Sequence, residues 1–330
     1  MSKSETLILR HSEIKALLPY TEFNGIVEAV FRDWGLGQVV MPPKIHLDMS
    51  RSGSDSWNNA MPAFLVSQHA AGIKWVGGYP ENPGNGMPYI RGLLVLTSPK
   101  NGDTLAVLDG TYISDWRTGA SAAIAVKYLA RKETKRIAMV GAGTQGHTAT
   151  VCIHQVAPKA ELTVVDINNE RLVAFQQTMA GEYGIQVQTT TDAAAAVSKA
   201  DVVVLLTTAA KPFIRKEWLQ PGVLMLGMGS YQQAEDDALL SFDKIVVDSA
   251  GQAAHRGEIK NLVEQNKIPE ASLSPELGSI VAGKAQGRSS DQEKILCVLV
   301  GLGAHDVSAA AKAFNKAREK GGGVSVKLNS

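Results

Sequence analysis

The sequence has little cysteine: two residues in 330, Cys152 and Cys297, neither near a second cysteine or a histidine at metal-ligand spacing. That argues against a disulfide-stapled scaffold and a zinc module, and both thiols, set in apolar, helical-looking stretches, are expected to be small buried hydrophobes with no metal. No apolar run approaches the roughly 18 residues that a membrane span needs, and none follows a basic start. No membrane partner is therefore expected, and the expected compartment is the cytoplasm. Charge of one sign is also missing. With 33 basic against 32 acidic side chains there is no electrostatic footprint for nucleic acid, so a small diffusing substrate fits better than a polyanion. Internal repeats are absent, and only Ala193 to Ala196 is of low complexity. A composition that is 45% hydrophobic is not that of a disordered chain, and 330 residues exceed the usual reach of a single core, so two domains are expected.

What the chain does have is one phrase repeated from Ile137 to Val247: a short apolar run, a turn, a helical stretch. The runs are Ile137 to Val140, Leu162 to Val165, Ile185 to Gln188, Val202 to Leu206, Val223 to Leu226 and Ile245 to Val247. Rich in Val, Ile and Leu and not alternating with polar residues, they suit strands buried on both faces, as in a parallel sheet wrapped by helices. That is a doubly wound α/β fold of Rossmann type. Asn168 can cap a helix from Asn169 to Ala180, and Pro158 stops the helix that opens at Gln145.

The first third is punctuated by Pro42-Pro43, by Asn82 to Pro88 and by Lys100-Asn101-Gly102-Asp103. Leu93 to Thr97 and Thr104 to Leu108, either side of that last turn, are expected to pair antiparallel in a separate α+β domain. A helix from about Thr118 to Arg131 should lead into the doubly wound domain, with Arg117 just before it. Asp306 to Lys320 should fold back as an amphipathic helix, and the tail after Gly321 looks loose. The boundaries read as 1–120 plus 306–330 for the α+β domain and 121–305 for the doubly wound domain.

The sharpest motif is Gly141-Ala142-Gly143-Thr144-Gln145-Gly146, after an expected strand and opening an expected helix. In that context the first glycine permits the tight turn, the second lets a pyrophosphate approach the backbone, and the third allows close helix-to-strand packing. Thr144 and Gln145 open a helix whose N–H groups and dipole favour phosphate. Asp166 ends the second strand, 20 residues beyond Gly146, where a carboxylate accepts both ribose hydroxyls of adenosine. A 2′-phosphate would meet its charge, so NAD is expected over NADP. Arg171 is the opposing signal, read as too far into the next helix to clamp that phosphate. Thr207 and Thr208 follow the fourth strand; their hydroxyls either contact the nicotinamide ribose or dinucleotide backbone or serve only the loop.

Three cations stand out in the first domain: Lys44 after Pro42-Pro43, Lys74 in Ala71-Gly72-Ile73-Lys74-Trp75, and Arg117 in Asp115-Trp116-Arg117-Thr118-Gly119-Ala120. The last two sit in apolar or aromatic settings where an unpaired charge is costly. Met61, Trp57, Trp75 and Tyr79 are candidates for shaping a substrate pocket.

These segments, with Met61-Pro62-Ala63-Phe64, Asn85-Gly86-Met87-Pro88, Leu108-Asp109-Gly110-Thr111, Val247-Asp248-Ser249, Gly257-Glu258, Ala282-Gly283-Lys284 and Gly287-Arg288, make a chain that resembles the ornithine cyclodeaminase/mu-crystallin family over nearly its full length. The resemblance implies a homodimer whose first domain supplies both dimer contact and substrate pocket, with the Rossmann domain inserted before a return helix. It implies that Arg117 clamps an α-carboxylate, that Lys44 stands where relatives often carry an arginine, that Lys74 serves as acid/base or water-holder at the reacting carbon, and that Thr118 faces the cofactor phosphates. Cyclodeaminases of the family carry an Asp at a position that falls here on Gly229. The expected activity is therefore that of an NAD(H)-dependent oxidoreductase of amino acid metabolism, moving hydride to or from the α-carbon of a small amino or imino acid, as amino-acid dehydrogenases and imine or ketimine reductases do. A cyclodeaminase releasing ammonia with catalytic NAD, and a mu-crystallin-like ligand-binding protein, are the alternatives.

Overall fold

The strand Trp57–Leu65 alternates buried and half-buried residues over most of its length and lies in one sheet, whereas Val202–Leu205 is buried throughout and lies in another. The computed structural model describes residues 5–328 and falls into two units, Met1–Arg117 with Leu302–Ser330, and Thr118–Gly301.

The first unit holds β1 (Thr6–Leu9), β2 (Val39–Val40), β3 (Ile45–Asp48), β4 (Trp57–Leu65), β5 (Ala70–Gly78), β6 (Ile90–Thr97) and β7 (Thr104–Asp109), together with β15 (Val324–Val326) from the far end of the chain. Their order is β15-β1-β7-β6-β5-β4-β2, with β3 also on β4; β1 runs parallel to β7 and every other pair is antiparallel. β6 and β7 pair as the turn at Gly102 implies. The segment after Gly321 is not loose: Val324 to Val326 pair with Thr6 to Ile8. Three residues are too few to show a strand's period in sequence.

The return helix, Gly303–Lys320, packs on β4, β5 and β6 and against the helix Phe23–Gly35. The opposite face of the sheet carries Ile45, Ala60, Trp75 and Leu93 abreast on four strands. Ile45, Trp75 and Leu93 are 68%, 41% and 50% exposed, an apolar row that no element of the unit covers. Trp75, read as a pocket candidate, belongs to this row, because neighbours on a strand point to opposite faces and Lys74 takes the other.

The second unit is a parallel sheet ordered β10-β9-β8-β11-β12-β14-β13. Its strands are β8 (Arg136–Val140), β9 (Glu161–Val165), β10 (Gln188–Thr190), β11 (Val202–Leu205), β12 (Leu224–Gly227), β13 (Lys244–Val247) and β14 (Ile295–Val298). This is the doubly wound sheet expected. β10 lies past the expected Ile185 to Gln188, because the helix Asn169–Tyr183 runs longer and ends at Gly184 with φ 67°, whereupon the Ile185 N–H returns to the Met179 carbonyl and buries Ile185 as a helix stop. Asn168 caps that helix, its side chain accepting from the Arg171 N–H. β14 was not foreseen, and Cys297, read as helical, lies in it; four apolar residues do not separate strand from helix by period. Both thiols are buried and free. The connecting helix spans Thr111–Leu129 and starts earlier than expected, since the Asp109 carboxylate accepts from the Thr111 N–H and hydroxyl. Arg117 therefore lies inside it.

Candidate active site

In the first unit, β5 places Lys74 on the face covered by the return helix, and that helix brings Asp306 onto it. Nζ of Lys74 donates to Oδ1 of Asp306 at 2.8 Å and to the Ser114 hydroxyl at 3.2 Å. Nε of Arg117 lies 3.3 Å from the same carboxylate oxygen. Lys74, Asp306 and neighbouring His305 are fully buried, and Arg117 is 9% exposed. Burial pushes the Lys74 amine down to about 8, with Arg117 acting in the same direction and Asp306 opposing. Burial would raise the Asp306 carboxyl, but Arg117 and Lys74 outweigh it and hold the group below its ordinary range. His305, packed edge-on against Phe31, is driven down to about 3 mainly by burial, so its ring is neutral. Burial also lifts Asp115, on the connecting helix, to about 6.

Met61 is buried directly opposite Lys74 in the β4–β5 register, and Gly303 packs against its backbone. Lys44, half-buried, precedes β3; continuing the β3–β4 register brings it abreast of Met61. Lys74 and Arg117 thus meet at Asp306, with Met61 beside Lys74 in mid-sheet and Lys44 next to Met61 in register; Asp306 is a residue that sequence reasoning passed over as merely the start of a helix. A signal was present: Asp306, Ala310, Ala313 and Ala317 share the buried stripe, and an acidic residue on such a stripe needs a partner.

In the second unit the glycine turn joins β8 to the helix Thr144–Val156. Gly141 has φ 120°, and a Cβ there would come within 2.9 Å of the Leu206 carbonyl. A Cβ at Gly146 would overlap the Gly141 carbonyl, whereas one at Gly143 would meet nothing within 4 Å. The turn is therefore closed on its inner side and open on its outer side, as a phosphate cradle requires. Thr144 is exposed and Gln145 half-buried at the first helical turn. Thr118, half-buried, starts the unit; its neighbour Gly119 lies against the backbone of Thr148 and Ala149 in the glycine-turn helix.

Asp166 follows β9 and accepts the Ala142 N–H at 3.0 Å with one oxygen and the Asn168 N–H at 3.0 Å with the other. Arg171 is not out of reach: its guanidinium lies 3.5 Å from the Asp166 carboxylate, because a long side chain spans the one helical turn between them. Thr207, half-buried, and Thr208, exposed, follow β11. The Thr207 hydroxyl donates to the Gln233 side-chain oxygen at 2.6 Å. At Gly229 the Gln233 amide fills the place a side chain would take. Gln233 and the buried Glu258 were not singled out as functional residues in the sequence, since what marks them is contact between distant loops. No cluster suited to a metal occurs among the described residues.

A parallel sheet with this turn at the end of its first strand, closed inside and open outside, defines a dinucleotide-binding protein. The chain belongs to the ornithine cyclodeaminase/mu-crystallin family, whose model matches residues 4–321. Among its relatives is the alanine dehydrogenase of Archaeoglobus fulgidus, 34% identical over 98% of this chain and 99% of that one. Two solved structures superpose with a TM-score of 0.91. One is the Thermococcus litoralis Δ1-pyrroline-2-carboxylate reductase in complex with NADH and L-proline, 30% identical, covering 97% of this chain and 100% of that one. The other is an archaeal alanine dehydrogenase dimer with bound NAD, 34% identical, covering 98% and 100%.

Proposed function

We propose that the protein is an NAD(H)-dependent oxidoreductase that moves hydride to or from the α-carbon of a small amino or imino acid. The observation that carries the reading is the buried Lys74, an amine brought to about 8 and held between Ser114 and Asp306 within reach of Arg117. An amine near that value both gives and takes a proton at physiological pH, which is what a nitrogen passing between amine and imine requires. Relatives of this chain that act on such compounds support the reading.

The residues divide the work by their chemistry. The planar guanidinium of Arg117 takes the substrate carboxylate in two parallel hydrogen bonds, and Lys44 adds a second, single-point cation. Lys74 removes the proton of the α-nitrogen on oxidation and returns it on reduction. Asp306 keeps Lys74 in place and lowers the cost of burying two cations. Met61 walls the pocket. Bound NAD(H) supplies or accepts the hydride. Gly141, Gly143 and Gly146 with Thr144 and Gln145 hold its diphosphate, Thr118 faces the same phosphates, Asp166 holds the adenosine ribose, and Thr207 and Thr208 line the remaining half. The Asp166 carboxylate stands against a 2′-phosphate, so NAD is the preferred cofactor. Gly229 offers no carboxylate for a substrate side-chain amine, which favours simple hydride transfer over ring closure. The uncovered row Ile45, Trp75 and Leu93 is the face on which two copies of the chain associate, in keeping with the archaeal dimer.

The test is an NADH-depletion screen over 2-oxo acids with ammonia or amines and over cyclic imines, run beside ammonia detection with ornithine and lysine. Depletion with one of these compounds is the expected result. No turnover with any of them would sink the reading, and ammonia from ornithine without net change in NADH would replace it with cyclodeamination.

A further inference from the structure

At the carboxyl ends of β11 and β12 the second unit carries two loops, 206–209 and 228–234, and two fully buried polar side chains tie them together. One oxygen of Glu258 accepts the backbone N–H of Gln233 at 2.9 Å and of Ala234 at 2.7 Å. Its stem lies against Gly227, the last residue of β12: a Cβ there would be 2.8 Å from the Cβ of Glu258, so glycine is what admits the carboxylate. The Gln233 oxygen in turn accepts the Thr207 N–H at 3.2 Å and hydroxyl at 2.6 Å, and its amide packs into the space left by Gly229. The second oxygen of Glu258 and the Gln233 amide nitrogen have no hydrogen-bond partner among the described residues. Burial lifts the Glu258 carboxyl to about 7, although the two N–H groups pull it down. A buried acid serving only loop backbone is costly, and a bare hydrophobic core would not need it.

Strand order supplies the reason. β8, with the glycine turn, lies between β9, which leads to Asp166, and β11, which leads to Thr207; β12 follows β11. A dinucleotide with its diphosphate on the turn and its adenosine ribose at Asp166 lays its nicotinamide half over the ends of β11 and β12. We infer that Glu258 and Gln233 are positioning residues for that half: Glu258 fixes loop 228–234, Gln233 passes the hold to Thr207, and neither touches the cofactor. The inference rests on the NAD(H) reading above.

The experiment compares NADH and ADP binding to the wild-type full-length protein and four variants, with thermal unfolding recorded for each. ADP reports the adenosine half alone. Glu258→Gln and Gln233→Glu keep the acceptor oxygens and should bind NADH close to wild type. Glu258→Ala and Gln233→Leu remove them and should weaken NADH about tenfold, with ADP unchanged. In steady state KM for NADH should rise while KM for the second substrate at saturating NADH stays put. If Glu258→Ala fails to fold, Gln233→Leu carries the test, since it leaves the bonds of Glu258 to the loop backbone in place. Equal loss of NADH and ADP, no loss of either, or conservative variants as weak as the truncations would overturn the inference alone. Wild-type protein that binds no NADH would remove the NAD(H) reading with it.

Discussion

Nζ of Lys74 lies 2.8 Å from Oδ1 of Asp306, 232 residues further along the chain, and solvent reaches neither side chain. Each group makes the other tolerable, for an unpaired charge at either position would be expelled or neutralised. Asp306→Asn removes the carboxylate that lies 2.8 Å from Lys74 and 3.3 Å from Arg117 while keeping the shape. It is expected to cost about 3–5 kcal/mol of stability, as breaking buried pairs does, and to move the Lys74 amine further down, because Asp306 acts to raise it. Chemical denaturation and a pH–rate profile check both effects.

Lys74→Ala is expected to lower kcat by about 10²–10⁴-fold, the range of a lost acid/base group, with NADH binding nearly intact. In the direction of amino-acid oxidation Lys74 must accept a proton, so kcat/KM should rise as pH passes about 8 and that limb should vanish in the variant. The same depressed value fixes a sign for stability. Between about 8 and the ordinary 10.5 the unfolded chain holds a proton that the folded one has released, so this group's contribution grows as pH rises through that window and is lost as pH falls to about 8. Thermal melts of wild type and Lys74→Met at pH 7.5 and 10 should diverge accordingly.

If Arg117 clamps the substrate carboxylate as proposed, Arg117→Ala should raise KM for that substrate and lower kcat together, because such a clamp also orients the α-carbon. Arg117→Lys should recover little, since an ammonium cannot make two parallel hydrogen bonds. Steady-state kinetics at saturating NADH settles both.

Asp166→Ala should shift cofactor preference toward NADP(H) by about tenfold or more, roughly the worth of one charged contact. Arg171, 3.5 Å from that carboxylate, is then free to meet a 2′-phosphate. The double variant Asp166→Ala/Arg171→Ala should lose most of the gain, measured as the ratio of kcat/KM for NADPH and NADH.

Trp75→Glu with Leu93→Glu places two charges in the uncovered apolar row and is expected to turn the proposed dimer into a monomer. Sedimentation velocity reads the change directly. A parent that is monomeric, or a variant that still dimerises, would send the interface elsewhere.

The second sheet was largely legible because its strands are short apolar runs without alternation, which only a sheet covered on both sides accommodates. β14 escaped: Ile295 to Val298 form a run of four, and their insertion between β12 and β13 reverses chain order, which no local pattern encodes. Lys74 could be singled out by its apolar neighbours, but not its partner, since Asp306 answers a charge on the other side of the inserted unit. The early start of the connecting helix was missed because it depends on one carboxylate, Asp109, reaching the Thr111 N–H. Gln233 went unmarked and Glu258 entered only as half of the Gly257-Glu258 segment, for a related reason: each bonds backbone or side chains of a loop that only the finished sheet brings near.

The strand Val324–Val326, lying against Thr6 to Ile8, carries a consequence for synthesis. A ribosome makes the first seven strands, then the whole inserted unit, and only then the helix and strand that complete the first sheet. Until residue 306 emerges, Lys74 lacks the carboxylate it bonds to and β1 has only one neighbour. A nascent chain arrested before residue 303 should therefore resist protease in its second unit and yield in its first, so the inserted unit is finished before the one that encloses it in sequence.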